Sequence, residues 1–224
     1  MQTFLAQAQT THQDFTRSSS DVAEYPTEAV FDELLHYTAD EYLLRERNAL
    51  NKHEFHAGKV IAMSGASIRH NRLAANIHYV LQRSFRAADA PLEVFQSDYR
   101  VHNPLTMRYV YPDVIVCDSI NIQLAEGEPD ILLNPLVIIE VLSKNTQHYD
   151  RNEKFDVYKS IESVQEYVLV SQASPHIEVF TRKNRLEWLY REQFDMDSVI
   201  ELLSIHVPLP LREVYAKVEF GSEA

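Results

Sequence analysis

The segment "PLVIIEVLSKN", residues 135–145, constrains this chain most, because its hydrophobic residues do not alternate with polar ones. A run that is apolar on both faces belongs in the middle of a sheet covered on both sides. Yet it holds a glutamate, Glu140, between Ile139 and Val141. A second run, "YVYPDVIVCDS" at 109–119, carries Asp113 directly after Pro112. Proline lacks a ladder donor and favours extended backbone, so this run also reads as a strand. An ionised carboxylate among such hydrophobes is costly unless it is paired or bound to a metal. For one such acid, a strand end paired with an arginine or a backbone amide is the simpler reading. Two acids in adjacent candidate strands shift the balance toward a shared divalent cation, which would offset both their desolvation and their mutual repulsion. Hard oxygen ligands of this kind suit Mg²⁺ or Mn²⁺.

The rest of the chain supplies the frame. Residues 1–30 are polar, aperiodic and rich in Gln, Thr and Ser, and are expected to be a mobile arm. "TADEYLLRERNALNK" opens with Thr38 as N-cap and Glu41 at the capping-box position, predicting a short amphipathic helix. "HEFHAGKVIAMS" places Gly58 between two strand-like runs and reads as a hairpin. Leu73, Ile77, Val80, Leu81 and Phe85 recur at helical spacing over about 70–85. "LEVFQSDYRVH" and "MRYVYPDVIVCD" read as strands, and "NIQLAEGEPDILLN" as an acidic, turn-prone connection. Beyond the 135–143 strand, Phe155, Tyr158 and Ile161 predict a helix over 149–161, with Lys154 about 100° around the axis from Phe155, at the edge of the buried stripe. "EYVLVSQ", "HIEVFTR" and "LEWLYRE" close the series as strands. The order helix, hairpin, helix, strands, helix, strands predicts an α/β (α+β) fold with a mixed central β-sheet flanked by helices, in one domain over 31–215 with a tail at 216–224.

Composition removes several classes of function. Four glycines leave no phosphate-cradling glycine-rich loop, which argues against a Rossmann or P-loop nucleotide site. One cysteine, Cys117, excludes an internal disulfide framework and a multi-cysteine zinc site, and its apolar surroundings make it a core residue. The ten histidines include no HExxH or similar ligand pair. No stretch approaches the ~20 apolar residues of a membrane span, and "MQTFLAQAQTTHQDFTRSSS" has no signal-peptide core, so a cytoplasmic protein without a membrane segment is expected. The formal net charge of −12 requires any nucleic-acid surface to be local.

"PDVIV", followed 27 positions after its aspartate by "EVLS", resembles the PD-(D/E)XK nuclease superfamily. The chain is more closely similar to the Uma2 family of endonucleases through "YTADEYLLRE", "HEFHAGKVIAMSGAS" with His70 after it, "VFQSDYRV", "YVYPDVIVC", "PLVIIEVLSKNTQHYDRNEKFDVY" and "SVQEYVLV". Any one of these is a weak signal; six in register, over roughly 36–190, are specific. The resemblance implies a restriction endonuclease-like core and a DNA endonuclease dependent on Mg²⁺ or Mn²⁺. Asp113, Glu140 and the backbone carbonyl of Val141 would bind the metal, and a lysine would act on the attacking water.

One departure stands out. The lysine of the ExK motif would fall at Leu142. The Uma2 pattern has the same gap and supplies a lysine from the following helix, which matches Lys154. Lys144, four residues after Glu140, competes for that role. From the residues alone, Lys154 reads as a solvated helix lysine. Glu54 matches the family's hairpin glutamate, yet its position alone fits a surface charge equally well. His70 matches a family position and could touch a phosphate, cap the helix or pack. Ser143 and Tyr158 are expected to act on the site indirectly, and Tyr158 also continues the apolar stripe. Cutting both strands of DNA needs two sites, so a homodimer is expected. The rival readings are a catalytically silent nuclease-fold protein that binds DNA or a protein partner, and a structural module in which the acids form internal salt bridges.

Overall fold

The computed structural model describes residues 31–221 except 33 and 145. The expected mobile arm, 1–30, and the last three residues of the expected tail lie outside the described residues. In chain order the elements are α1 (Ala39–Glu46), β1 (His53–His56), β2 (Lys59–Ala62), α2 (Ile68–Ala88), β3 (Leu92–Gln96), β4 (Arg100–Asn103), β5 (Arg108–Val110), β6 (Val114–Asp118), β7 (Leu124–Ala125), β8 (Glu128–Leu132) and β9 (Val137–Leu142). There follow α3 (Gln147–Tyr149), a π-helical turn (Asp150–Lys154), α4 (Phe155–Lys159), β10 (Glu166–Ser171), β11 (Ile177–Arg182), β12 (Trp188–Gln193), β13 (Val199–Leu202), β14 (Val207–Pro210) and α5 (Leu211–Val214). Among the described residues, no helix is long and apolar enough to cross a membrane.

Local chemistry explains the elements that the sequence announces. At α1 the Thr38 hydroxyl accepts from the Glu41 amide at 3.2 Å and the Glu41 carboxylate accepts from the Thr38 amide at 2.8 Å, completing the capping box. The β1–β2 hairpin turns through Ala57 and Gly58, both at positive φ (49° and 105°), as a tight two-residue hairpin requires. The apolar stripe of α2 is buried from Leu73 to Phe85.

The strands form two six-stranded sheets and a β13–β14 ribbon. The central sheet has the order β12-β11-β10-β9-β6-β3; β9 and β10 are parallel and its other pairs antiparallel, so it is mixed. The second sheet has the order β2-β1-β5-β4-β8-β7. β9 lies inside the central sheet with all six residues buried, as its continuous hydrophobicity demands. Side chains alternate across a strand. Val137, Ile139 and Val141 therefore pack in the core with α2, α5 and the ribbon, whereas Ile138 and Leu142 pack with α4 and strands of the second sheet. Parity places Glu140 on the α4 side.

Three sequence expectations need correction, the first being that "LEVFQSDYRVH" is not one strand but β3 in the central sheet and β4 in the second. "MRYVYPDVIVCD" is not one strand: β5 pairs in the second sheet and β6 in the central one, with Tyr111, Pro112 and Asp113 crossing between them. Pro112 has no amide hydrogen to give a ladder, and the chain changes sheets there. "NIQLAEGEPDILLN" is not merely a connection, because β7 and β8 form a hairpin in it, with Gly127 at φ 72°.

Candidate active site

The crossing at Pro112 sets the geometry of the site. It leaves Asp113 one residue before β6, and because Val114 pairs with Ile139, continuing that register places Asp113 across from Glu140. The Val141 amide donates to Asp113 Oδ2 at 2.7 Å, a side-chain bond where a ladder bond would otherwise form. His70, in the first turn of α2, brings Nε2 to 3.0 Å of the same oxygen. Burial would lower the pKa of His70, but the hydrogen bond and charge of Asp113 outweigh it and hold the imidazole above its ordinary value.

From the second sheet, β1 delivers Glu54. The Tyr111 amide donates to its Oε1 at 3.2 Å, and the Tyr149 hydroxyl to its Oε2 at 3.1 Å. His56 Nε2 lies 3.1 Å from that Oε2 and 3.0 Å from the Tyr149 hydroxyl. Burial alone would raise the Glu54 carboxyl; Lys154, His56 and the Tyr111 amide together hold it down at about 2.

Lys154 closes the cluster from the π-helical turn. The extra residue in such a turn rotates the next side chains around the axis relative to an unbroken α-helix, and turns of this kind recur at functional sites. Lys154 is only 5% exposed, and its Nζ lies 2.9 Å from Glu140 Oε1, 3.3 Å from Glu54 Oε1 and 3.9 Å from Asp150 Oδ1. It also donates to the Tyr111 carbonyl at 3.4 Å. Burial would lower its pKa, yet Glu140, Glu54 and Asp150 keep it well above the ordinary lysine value, so the ammonium stays charged. Glu140 goes the other way for an acid: burial drives its pKa well up against the pull of Lys154, and Asp113 and Asp150 add to the rise. Tyr158 is fully buried and donates its hydroxyl to Glu140 Oε1 at 2.8 Å. Asp150 is likewise pushed up by burial.

The structure thus gathers Asp113, Glu140, Lys154, Glu54 and His70 into one cluster. Lys144 is exposed and stands outside it. Ser143 lies in the turn before α3, its hydroxyl accepting from the Thr146 amide at 3.0 Å. Sequence reasoning missed His56, Tyr149 and Asp150. His56 lies two residues from Glu54 on one strand face, a period-2 signal, whereas Tyr149 and Asp150 depend on the π-helical turn. It also missed Glu46, a buried acid behind the site that accepts from the Tyr111 hydroxyl at 3.0 Å and the His53 amide at 2.8 Å.

Four carboxylates, three of them within 4 Å of Lys154, gather beside one lysine, and the charges of Asp113 and Asp150 add to the rise of Glu140 that burial begins. Among the described residues, Asp113 Oδ1 and Glu140 Oε2 accept no hydrogen bond. The donor set is carboxylate oxygen, which fits a hard divalent cation of the Mg²⁺ or Mn²⁺ type. A second group of potential ligands, His176, Glu178 and Glu192, has donor atoms within 4.8 Å of one another. It arises because Glu178 and Glu192 pair across β11 and β12, and Glu178 is already engaged by Arg151 at 2.5 Å and the Tyr190 hydroxyl at 3.1 Å.

Comparison with known proteins agrees with this architecture. The Uma2 family model, described as "Putative restriction endonuclease", matches residues 39–210. An uncharacterized protein of Synechocystis sp. is 35% identical over 164 residues, covering 73% of this chain and 91% of that one. A second from the same organism is 28% identical over 182 residues, covering 81% and 92%. Among solved structures, one titled a "putative nuclease belonging to DUF820" from Anabaena variabilis superimposes with a TM-score of 0.66 at 17% identity, covering 82% of this chain and 99% of that one, and shows the same fold.

Proposed function

The chain belongs to the Uma2 family of restriction endonuclease-like proteins, and from that premise we propose that it is a Mg²⁺- or Mn²⁺-dependent nuclease that hydrolyses DNA phosphodiester bonds at the Asp113–Glu140–Lys154 cluster. The observation that carries the reading is one buried ammonium, Lys154, held among three carboxylates that its single charge does not balance. A salt-bridged structural module has no use for that imbalance, since each buried acid would gain more from its own partner.

Asp113 and Glu140 would hold the cation, with the backbone carbonyl of Val141 as a third oxygen and Glu54 adjoining. Bound there, the metal supplies a Lewis acid that makes water a nucleophile near neutral pH and offsets charge on the phosphate. The protein's own contribution is orientation. Val141 and His70 fix Asp113, Tyr158 fixes Glu140, and the Tyr111 amide and Tyr149 fix Glu54. Lys154 is held cationic, so it does not act as a base. It donates a hydrogen bond to the attacking water or a phosphate oxygen and offsets charge that develops there. A cut through both strands would bring two copies of the chain to one duplex.

Incubation of supercoiled plasmid and single-stranded DNA with the protein across Mg²⁺ and Mn²⁺ tests the proposal, with Asp113→Ala as control. Nicking that needs metal and disappears in the variant is expected. A wild type that binds Mn²⁺ yet cuts nothing overturns the enzyme and leaves a silent nuclease-fold binding protein.

A further inference from the structure

At the far end of α4 from Lys154, a solvent-open cleft of about 1050 Å³ lies between the β4–β5 turn, the C-terminal end of the helix and the β11–β12 turn. Its charge runs opposite to that of the whole chain. The chain carries 33 acidic and 21 basic residues, but the cleft is lined by Lys159, Arg182, Lys183 and Arg185 against one acid, Glu162. In a protein that repels polyanions overall, this is the kind of local basic surface that binding to one requires.

The four cations differ in availability. Lys159 pairs with Asp156 at 2.5 Å. Arg182 is structural: its guanidinium donates to the carbonyls of Val164, Lys159 and Ile161 at 2.6, 2.9 and 2.9 Å, satisfying the end of the helix. Lys183 and Arg185 sit exposed in the β11–β12 turn and form no ion pair among the described residues. The floor is aromatic. Arg182 stacks on Trp188 at 4.4 Å, and Phe155 meets Trp188 edge-on at 5.4 Å. Leu105 and Leu186, 80% and 89% exposed, stand on the two turns at the mouth.

We infer that this cleft binds a single-stranded stretch of nucleic acid, with backbone phosphates at Lys183 and Arg185 and an unpaired base on the Arg182–Trp188 stack. A groove that pairs cations for the backbone with a flat aromatic for the bases is the general solution for single strands. A duplex keeps its bases stacked on one another and cannot offer one to a recessed indole. The volume, just above the ~300–1,000 Å³ range of compact-ligand pockets, leaves room for a length of chain. Lys154 and Lys159 are five residues apart on one helical segment, roughly 7.5 Å at ~1.5 Å per residue. The inference deepens the nuclease reading and rests on it for the identity of the polyanion.

Trp188 is the only tryptophan in the chain, so its fluorescence reports on the cleft directly. Without divalent metal and at low salt, a single-stranded oligo(dT) of about twelve nucleotides should quench it saturably, and the matching duplex and poly-L-glutamate should not. The double variant Lys183→Glu/Arg185→Glu lies in an exposed turn and should raise Kd at least ~10-fold. It should also make the dependence of log K on log salt shallower by ~1.4, for two single-strand phosphate contacts. Absent quenching, unchanged affinity in the variant, or an equal response to the duplex or to poly-L-glutamate overturns the inference. Because no metal is present, the result is independent of catalysis. Oligo(dT) binding in a protein that cuts nothing sinks the nuclease reading alone, and cleavage by a protein that fails the quenching test sinks the cleft alone.

Discussion

Replacing Lys154 with methionine keeps the length and the apolar stem of the side chain and removes its charge. In the metal-free protein this should destabilise the fold by about 3–5 kcal/mol, the usual cost of leaving a buried charge without its partner. Glu54 gives a second route to that magnitude. Its carboxyl is held at about 2 instead of its ordinary 4.5, with Lys154 the strongest pull against burial. At ~1.36 kcal/mol per tenfold change in acidity, that difference corresponds to about 3 kcal/mol at neutral pH, of which Lys154 supplies the largest favourable share and His56 and the Tyr111 amide the rest. A depressed carboxyl stabilises above its unfolded value and loses that contribution as pH falls from about 4.5 toward 2. The gap between wild type and Lys154→Met should therefore be widest near neutral pH and narrow through that acid window. For a domain of this size, about 3 kcal/mol is a drop in Tm of about 6–12 °C. A divalent cation should replace part of the missing positive charge, so saturating Mn²⁺ should raise the Tm of the variant more than that of the wild type. Melting by circular dichroism, in EDTA and in Mn²⁺ and from about pH 3 to 8, reads all of this. A variant that melts with the wild type in EDTA at neutral pH would show that the ammonium does not hold these carboxylates together.

Other expectations concern the same cluster and the hairpin that carries Glu54. Glu140→Gln should raise metal-free stability by ~1–3 kcal/mol, because burial, Asp113 and Asp150 together outweigh the pull of Lys154 on the carboxylate while glutamine still accepts from Tyr158; it should also abolish stabilisation by Mn²⁺, and a lower metal-free Tm speaks against the assigned imbalance. Tyr158→Phe removes the hydroxyl that orients Glu140 and should weaken Mn²⁺ binding ~10- to 100-fold by calorimetry; unchanged affinity would reduce Tyr158 to a core residue. Gly58→Ala should cost ~1 kcal/mol or more, since Gly58 has φ 105° and an added Cβ would meet His36 Nδ1 at 3.0 Å; an equal melting temperature would show that the turn adapts freely.

Short-range chemistry was legible in the sequence. Thr38 and Glu41 announce α1, Gly58 announces the hairpin, and the hydrophobic run over Val137–Leu142, interrupted only by Glu140, announces the central strand. Long-range pairing was hidden. Nothing in "MRYVYPDVIVCD" says that the residues before Pro112 and those after Asp113 pair in different sheets, although Pro112 marks the only place in that run where a ladder donor is missing. That crossing brings Glu54 from the second sheet to Asp113 and Glu140 in the central one, so the site could be recognised by resemblance but not assembled from spacing. Lys154 teaches the same lesson. Its helical phase placed it at the edge of the stripe, whereas it is buried, because Asp150–Lys154 form a π-helical turn that no 3.6-residue period describes. Phe155, expected in the buried stripe, is partly buried: it packs against Tyr167 and Phe180 at the edge of the core and also lines the basic cleft.

The central claim is that Asp113 and Glu140 share one divalent cation. A crystal grown with Mn²⁺ and measured at an anomalous wavelength tests it most directly. The account predicts a single strong peak within about 2.0–2.6 Å of a carboxylate oxygen from each residue, absent from crystals of Asp113→Ala grown in the same solution. A peak at His176, Glu178 and Glu192 with none between Asp113 and Glu140 would contradict it.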